Sequence, residues 1–177
     1  MSPAFVIIVT VLGVIITFLI LFLVKNMLLP KRVESVPKLI KQGKTQNAIK
    51  MAKQIIAKDP KNYKAHYYLG KAYQKENRTE LALIEYKYVN ENALFSPELD
   101  ELSFRNEYSK LLLKHNQQNE ALKNFLLLTK LDPKNAENYY WAGHIYEENN
   151  RFDVALGFMQ KAVFYDKNNS KAHAEIG

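Results

Sequence analysis

The chain has 177 residues and no cysteine. That excludes disulfides, thiolate-held zinc, thiol catalysis and lipid attachment through sulfur, while leaving the compartment open. Glycine is scarce, with six residues, and none falls in a G-x-G-x-x-G or G-x-x-x-x-G-K-[ST] loop of the kind that cradles phosphate. The four histidines, His66, His115, His144 and His173, lack the H-x-x-x-H and H-E-x-x-H spacings of metal sites. Glu147-Glu148 offers two carboxylates, but adjacent helical residues point about 100° apart and do not face one substrate together. No catalytic residue, cofactor or metal is expected.

One stretch has no charge at all. Ala4 to Val24 (AFVIIVTVLGVIITFLILFLV) is uncharged over 21 residues, which as a helix span about 31 Å, the thickness of a bilayer's hydrocarbon core. A core helix apolar on every side needs a larger protein around it, and a signal peptide needs a basic start and a small-residue cleavage site. Met1-Ser2-Pro3 has no basic side chain and Val24-Lys25-Asn26 no such site. A single transmembrane anchor is therefore expected within residues 1–28.

The formal charge of +7 is unevenly spread. Residues 25–62 carry a net +8, whereas Tyr63 to Gly177 net −1. Lys25, Lys31, Arg32, Lys38, Lys41 and Lys44 form a juxtamembrane basic set, expected to keep this side in the cytoplasm and to attract anionic lipid. Nucleic acid is not an expected partner, because the basic excess vanishes outside this segment.

What is present in quantity is repetition. Asp59-Pro60-Lys61-Asn62, Asp132-Pro133-Lys134-Asn135 and Asp166-Lys167-Asn168-Asn169 set a register with units starting at Leu29, Tyr63, Leu102, Ala136 and Ser170, in steps of 34, 39, 34 and 34. Leu69-Gly70, Tyr73, Ala82 and Tyr86 recur as Ala142-Gly143, Tyr146, Ala155 and Met159, alternating small and large side chains where helices meet. The unit from Leu102 keeps Ala121, Phe125 and Pro133, and the unit from Leu29 keeps only Gly43, Ala48, Ala52 and Pro60.

This period and these slots resemble the tetratricopeptide repeat. The resemblance implies an all-α fold, an N-terminal transmembrane helix followed by a helix-turn-helix solenoid. Its parts are a basic degenerate repeat (29–62), a unit with an extension (63–101), two units (102–135 and 136–169) and the start of an incomplete one (170–177). His66 and His173 fall where the repeat usually places Trp, so they are expected to pack between helices. Ser96-Pro97, a good cap followed by a good first residue, predicts that the first helix of the third unit starts about five residues early.

In this family the first helices line a concave groove that binds an extended peptide or a helix. Here those residues are Lys64, Tyr67, Lys71, Gln74, Asn106, Lys110, Glu137, Tyr140, His144 and Glu147. Tyr67 and Tyr140 are expected to offer contact area, and Lys71, Asn106 and Lys110 to meet an acidic or amide-rich segment. The order of parts is similar to that of bacterial lipopolysaccharide assembly protein B, a cytoplasm-facing adaptor, without its Cys-x-x-Cys module. The expected function is a membrane-tethered scaffold for a protein partner. Two alternatives are an envelope-assembly or chaperone-like factor on the outer face, and a regulatory subunit contacting a membrane enzyme through Thr10, Gly13 and Thr17. Ser170 to Gly177 is expected to fray, leaving an apolar end around Val154, Phe158, Val163 and Phe164 open to self-association.

Overall fold

The structure, a computed structural model, describes the backbone of residues 3–28, 33–97 and 99–176. In the first helix it describes the side chains of Phe5 and 10–22 only. Ten helices occur among the described residues: α1 (Pro3–Leu28), α2 (Ser35–Lys41), α3 (Thr45–Lys58), α4 (Tyr63–Lys75), α5 (Thr79–Asn92), α6 (Glu101–Lys114), α7 (Gln118–Leu131), α8 (Ala136–Glu148), α9 (Phe152–Tyr165) and α10 (Ser170–Ile176). From α2 onward they form antiparallel pairs, α2 with α3, α4 with α5, α6 with α7 and α8 with α9, each pair stacked on the next, and α10 packs on α9. A continuous core runs from Val36 on α2 to Ile145 on α8, and a smaller one joins Tyr139 and Met159 to Ala172. This is an all-helical repeat solenoid.

Two turns, used repeatedly, produce it. Within each unit the chain reverses through a residue in the left-handed conformation: Gly43 (φ 73°), Asn77 (57°), Asn116 (55°) and Asn150 (58°). The residue after each one donates its N–H back across the helix end, Lys44 to Leu39 O at 2.9 Å, Arg78 to Tyr73 O at 2.9 Å, Gln117 to Leu112 O at 2.9 Å and Arg151 to Tyr146 O at 2.8 Å. This Schellman-type closure satisfies carbonyls that the helix leaves unpaired, and Gly or Asn is the residue that tolerates it. Between units, an Asx cap starts the next helix. Ala65 N–H donates to Asn62 Oδ1 at 3.0 Å, Ser103 N–H to Asp100 Oδ2 at 2.8 Å, Glu137 N–H to Asn135 Oδ1 at 3.1 Å and Ala172 N–H to Asn169 Oδ1 at 3.1 Å.

In three units the fourth position secures this second turn. His66 Nε2 meets Pro60 O at 3.1 Å, the Tyr139 hydroxyl donates to Pro133 O at 3.0 Å, and His173 Nε2 meets Lys167 O at 3.0 Å. His66 and His173 thus hold turn carbonyls. Burial lowers the His66 pKa, but its contacts with Glu85, 2.6 Å from Nδ1, and with the Pro60 carbonyl outweigh that and leave it raised. In the third unit the fourth position is Arg105, which donates to Glu101 Oε1 (2.7 Å), Asn90 Oδ1 (3.1 Å) and Asn124 Oδ1 (2.9 Å), tying α5, α6 and α7 together.

The small-against-large packing is tight at Gly70, where an added Cβ would collide with the ring of fully buried Tyr86. Gly143 faces the flexible end of Met159, with Cε 3.0 Å from the same virtual atom.

Two expectations fail. α6 starts at Glu101, not near Ser96, and Ser96 and Leu99 instead exchange backbone hydrogen bonds at 3.2 and 2.9 Å. Leu99 is buried and the Phe95 ring lies 5.5 Å from that of Phe104, so burying these two side chains in a short loop overrides the local capping signal. Ser170 to Ile176 is helical rather than frayed: Ala172, not Ile176, is its fully buried anchor.

In α1 the side chains from Thr10 to Phe22 are exposed on every face. The Thr17 hydroxyl is satisfied inside the helix by Gly13 O (2.7 Å) and Val14 O (2.9 Å), and Gly13 faces open space. Among the described residues no helix is long and apolar enough to cross a membrane. The expected span, Ala4 to Val24, extends past the described side chains at both ends, and Lys25, Lys31 and Arg32 lie outside them.

The left-handed turn predicts that Asn116→Gly leaves the melting temperature unchanged or higher, whereas Asn116→Val lowers stability by about 1–2 kcal/mol. Thermal melts of both variants check this. His66 makes stability pH-dependent. Its folded pKa lies above the ordinary 6.5, so its contribution is complete below that value and fades as pH rises through the folded pKa. The stability gap between the parent chain and His66→Gln is therefore expected to be wider at about pH 5.5 than at about pH 8.5, and denaturant melts at both pH values measure it.

Candidate partner-binding face

The first helices α4, α6, α8 and α10 lie side by side, and the contacts between them follow the register. At the α4–α6 junction, Glu107 takes Lys71 Nζ at 2.7 Å and the Tyr67 hydroxyl at 3.3 Å on Oε1, and the Tyr86 hydroxyl at 2.9 Å on Oε2. At the α8–α10 junction, Glu175 Oε1 accepts from the Tyr140 hydroxyl at 2.9 Å and lies 3.0 Å from His144 Nδ1. Glu107 and Glu175 occupy the sixth position of their units, and each closes on the fifth-position tyrosine and the ninth-position basic side chain, Lys71 or His144, of the unit before. The same clamp is built twice.

Its electrostatics follow from half-burial. Desolvation lowers the Lys71 pKa, but the hydrogen bond and charge of Glu107 outweigh it and raise the pKa overall. Burial, and then the Glu107 charge, push the Tyr67 and Tyr86 phenols upward. Tyr140 rises to about 12, by burial first and then by its bond to Glu175.

The middle junction differs. The sixth position of the fourth unit is Trp141, the chain's one tryptophan, so no carboxylate closes on Asn106 and Lys110 from there. Trp141 stacks on Phe125 at 6.2 Å, is half-buried, and donates to Glu137 Oε1 at 3.3 Å. Lys110 pairs with the same Glu137 oxygen at 3.3 Å, with both side chains more than half exposed. An exposed pair of this kind contributes about 0–1 kcal/mol and is readily exchanged for another partner. On the other side of α6, toward α4, lies a depression of about 230 Å³ lined by Gln74, Asn77, Thr79, Glu107, Lys110, Leu111 and Lys114.

Most of the sequence-predicted residues therefore share one face, in different roles. Tyr67 and Tyr140 are buried to 9% and 8% exposure and offer hydroxyls to the clamps rather than ring area to a ligand. Lys71 is held by Glu107. Lys64, Gln74 and Glu147 are half-exposed on α4 and α8, and Asn106 and Lys110 flank the open junction. Lys38, Lys41 and Lys44 are exposed around α2 and its following turn. Sequence reasoning passed over Glu107, Glu175 and Trp141, whose shared sixth position was the available signal.

Comparison with known proteins supports this fold. Two models described as "Tetratricopeptide repeat" match residues 39–102 and 109–172, together well over half of the chain. No curated protein matches it. Among solved structures it is similar to a MamA fragment from Desulfovibrio magneticus RS-1, at 20% identity and TM-score 0.63, covering 81% of this chain and 78% of that one. It is also similar to a tetratricopeptide repeat protein from Parabacteroides merdae, at 18% identity and TM-score 0.64, covering 81% of this chain and 55% of that one. At such identities the likeness concerns the fold alone. The register, the turns and both family models agree that the chain belongs to the tetratricopeptide repeat family.

Proposed function

We propose that this protein is a membrane-tethered scaffold that docks an acidic segment of a protein partner, as an extended peptide or a helix, on the face made by α4, α6 and α8. The observation that carries the reading is the open middle junction. Two junctions of the face are closed by carboxylate clamps, whereas the third, which carries Asn106 and Lys110 on α6 and the half-buried Trp141 on α8, is bridged by an exposed, exchangeable ion pair. Lys110 and Lys114 stand one helical turn apart on α6 and also line the depression toward α4, which adds positive charge beside the junction. A partner carboxylate at the α6–α8 junction replaces Glu137 on Lys110, and Trp141 supplies an amphipathic anchor of the type that concentrates binding energy.

The tether rests on the uncharged run Ala4 to Val24 and on the apolar side chains between residues 10 and 22 that are exposed on every face of α1. The basic residues after it favour repeats on the cytoplasmic side. The expected order of anchor and repeats is loosely similar to that of lipopolysaccharide assembly protein B, which agrees with the tethered reading. Exposed Phe152, Leu156 and Phe164 on α9 support self-association as a second contact.

The full chain reconstituted into vesicles tests both halves. It is expected to float with lipid after an alkaline wash, and a chain lacking residues 1–24 to stay behind; a shortened chain that floats as well overturns the tether. On the reconstituted chain, Lys110→Glu is expected to weaken binding of acidic peptides from a charge-varied library at least tenfold. Binding that Lys110→Glu leaves unchanged overturns the docking site.

A further inference from the structure

The two clamps are alike in geometry but not in chemistry. In the first, the ninth and twelfth positions of α4 are Lys71 and Gln74; in the second, the same positions of α8 are His144 and Glu147. Lysine cannot serve as a ligand while charged, and an amide is a weak one. Imidazole and carboxylate are both good ligands for a divalent ion. The exchange therefore turns an ion-pair clamp into a set of three donors.

Their placement suits one ion. One ligand atom each from His144, Glu147 and Glu175 can be chosen so that all lie within 4.8 Å of one another. Ligands about 2.0–2.2 Å from a common ion stand roughly 3–4 Å apart, so small side-chain rotations bring the three into one shell. His144 and Glu147 sit three residues apart on α8, the spacing by which helices present a histidine and a carboxylate to a shared metal. Glu175 comes from α10.

A separate observation points the same way. His144 Nδ1 and Glu175 Oε2 are out of contact with solvent and have no hydrogen-bond partner. The 3.0 Å approach of Nδ1 to Glu175 Oε1 is an ion-pair distance without hydrogen-bond geometry. Buried polar atoms left in this way are costly unless something binds them. The opposing charges are also accounted for. Glu148 Oε1 lies 3.9 Å from His144 Nε2, and on the cationic side Lys171 Nζ lies 5.7 Å from the centres of the Tyr140 and Trp141 rings. The carboxylates Glu147, Glu148 and Glu175 outnumber it.

We infer that His144, Glu147 and Glu175 form a binding site for a first-row divalent transition ion, such as Zn²⁺ or Ni²⁺, which clasps α10 to α8. One imidazole nitrogen and two carboxylates select such ions over Ca²⁺ and Mg²⁺, which prefer all-oxygen shells. Water completes the coordination. The ion fixes α10 at the end of the first-helix face, so the last part of that face is ordered by metal.

The test uses the untagged full chain in detergent and Zn²⁺ or Ni²⁺ alone as probe. Calorimetry is expected to show one saturable Zn²⁺ site. Ni²⁺ is expected to quench Trp141, whose ring lies 5.8 Å from that of His144. His144→Gln, Glu147→Gln and Glu175→Gln are each expected to weaken binding at least tenfold, as loss of a ligand does, and His173→Gln to leave it unchanged. Glu147→Gln alters neither the Tyr140 bond nor the His144–Glu175 contact, so it reads ligation even where the other two variants loosen α10, and circular dichroism records whether they do. Absence of saturable binding, or binding indifferent to Glu147→Gln, overturns the site and leaves His144 and Glu175 as an ion pair between helices. Ca²⁺ binding as tight as Zn²⁺ overturns the assignment of the metal class.

Discussion

The stack is held in register by a carboxylate that reaches back. Glu107 on α6 closes on Tyr67 and Lys71 of α4, and Glu175 on α10 closes on Tyr140 and His144 of α8. Each clamp fixes the rotation of one first helix against the one before and joins their outward faces into one surface. The hydroxyl of buried Tyr86 is satisfied by the same Glu107, so clamp and core are not independent: removing that carboxylate leaves a buried hydroxyl unpaired as well as a lysine. The proposed docking site lies where the clamp is absent, and the proposed metal site where its lysine is replaced by a histidine.

Below this level the repeat depends on turns whose geometry few residues allow. The left-handed positions Gly43, Asn77, Asn116 and Asn150 reverse the chain inside a unit, and the Asx caps Asn62, Asp100, Asn135 and Asn169 restart it between units. With both ends of each helix fixed, the close approach of Gly70 to Tyr86 and of Gly143 to Met159 is imposed by the backbone. A solenoid of this kind adds one unit at a time, each stabilised by its neighbours. The eight-residue connection between α5 and α6 is accommodated because Leu99 and Phe95 turn inward and Arg105 ties three helices beside it.

Much of this architecture was legible in the sequence because Asp-Pro-Lys-Asn and the alternation of small and large residues are local and periodic. The helix start at Ser96-Pro97 was misread for the opposite reason: capping is a local preference of about 1 kcal/mol, and burial of Leu99 outweighs it. The face was legible as a set of positions but not as a set of roles. Tyr67 and Lys71 read as exposed contacts because their partner Glu107 comes from the next unit, and a contact 36 residues away leaves no mark on the spacing within a helix. Of the four α9 side chains expected to be open, only Phe164 is exposed; Val154, Phe158 and Val163 are half-buried, and the exposed apolar neighbours are Phe152 and Leu156.

The account's central claim is that the first-helix face, open between α6 and α8, is where a partner docks. A photo-crosslinking side chain introduced at Asn106 on that face, and separately at exposed Ile84 on the second helix α5, tests it most directly in membranes of living cells. The account predicts a discrete protein adduct from position 106 that disappears with Lys110→Glu, and none from position 84. Adducts from position 84 with none from position 106 would contradict it.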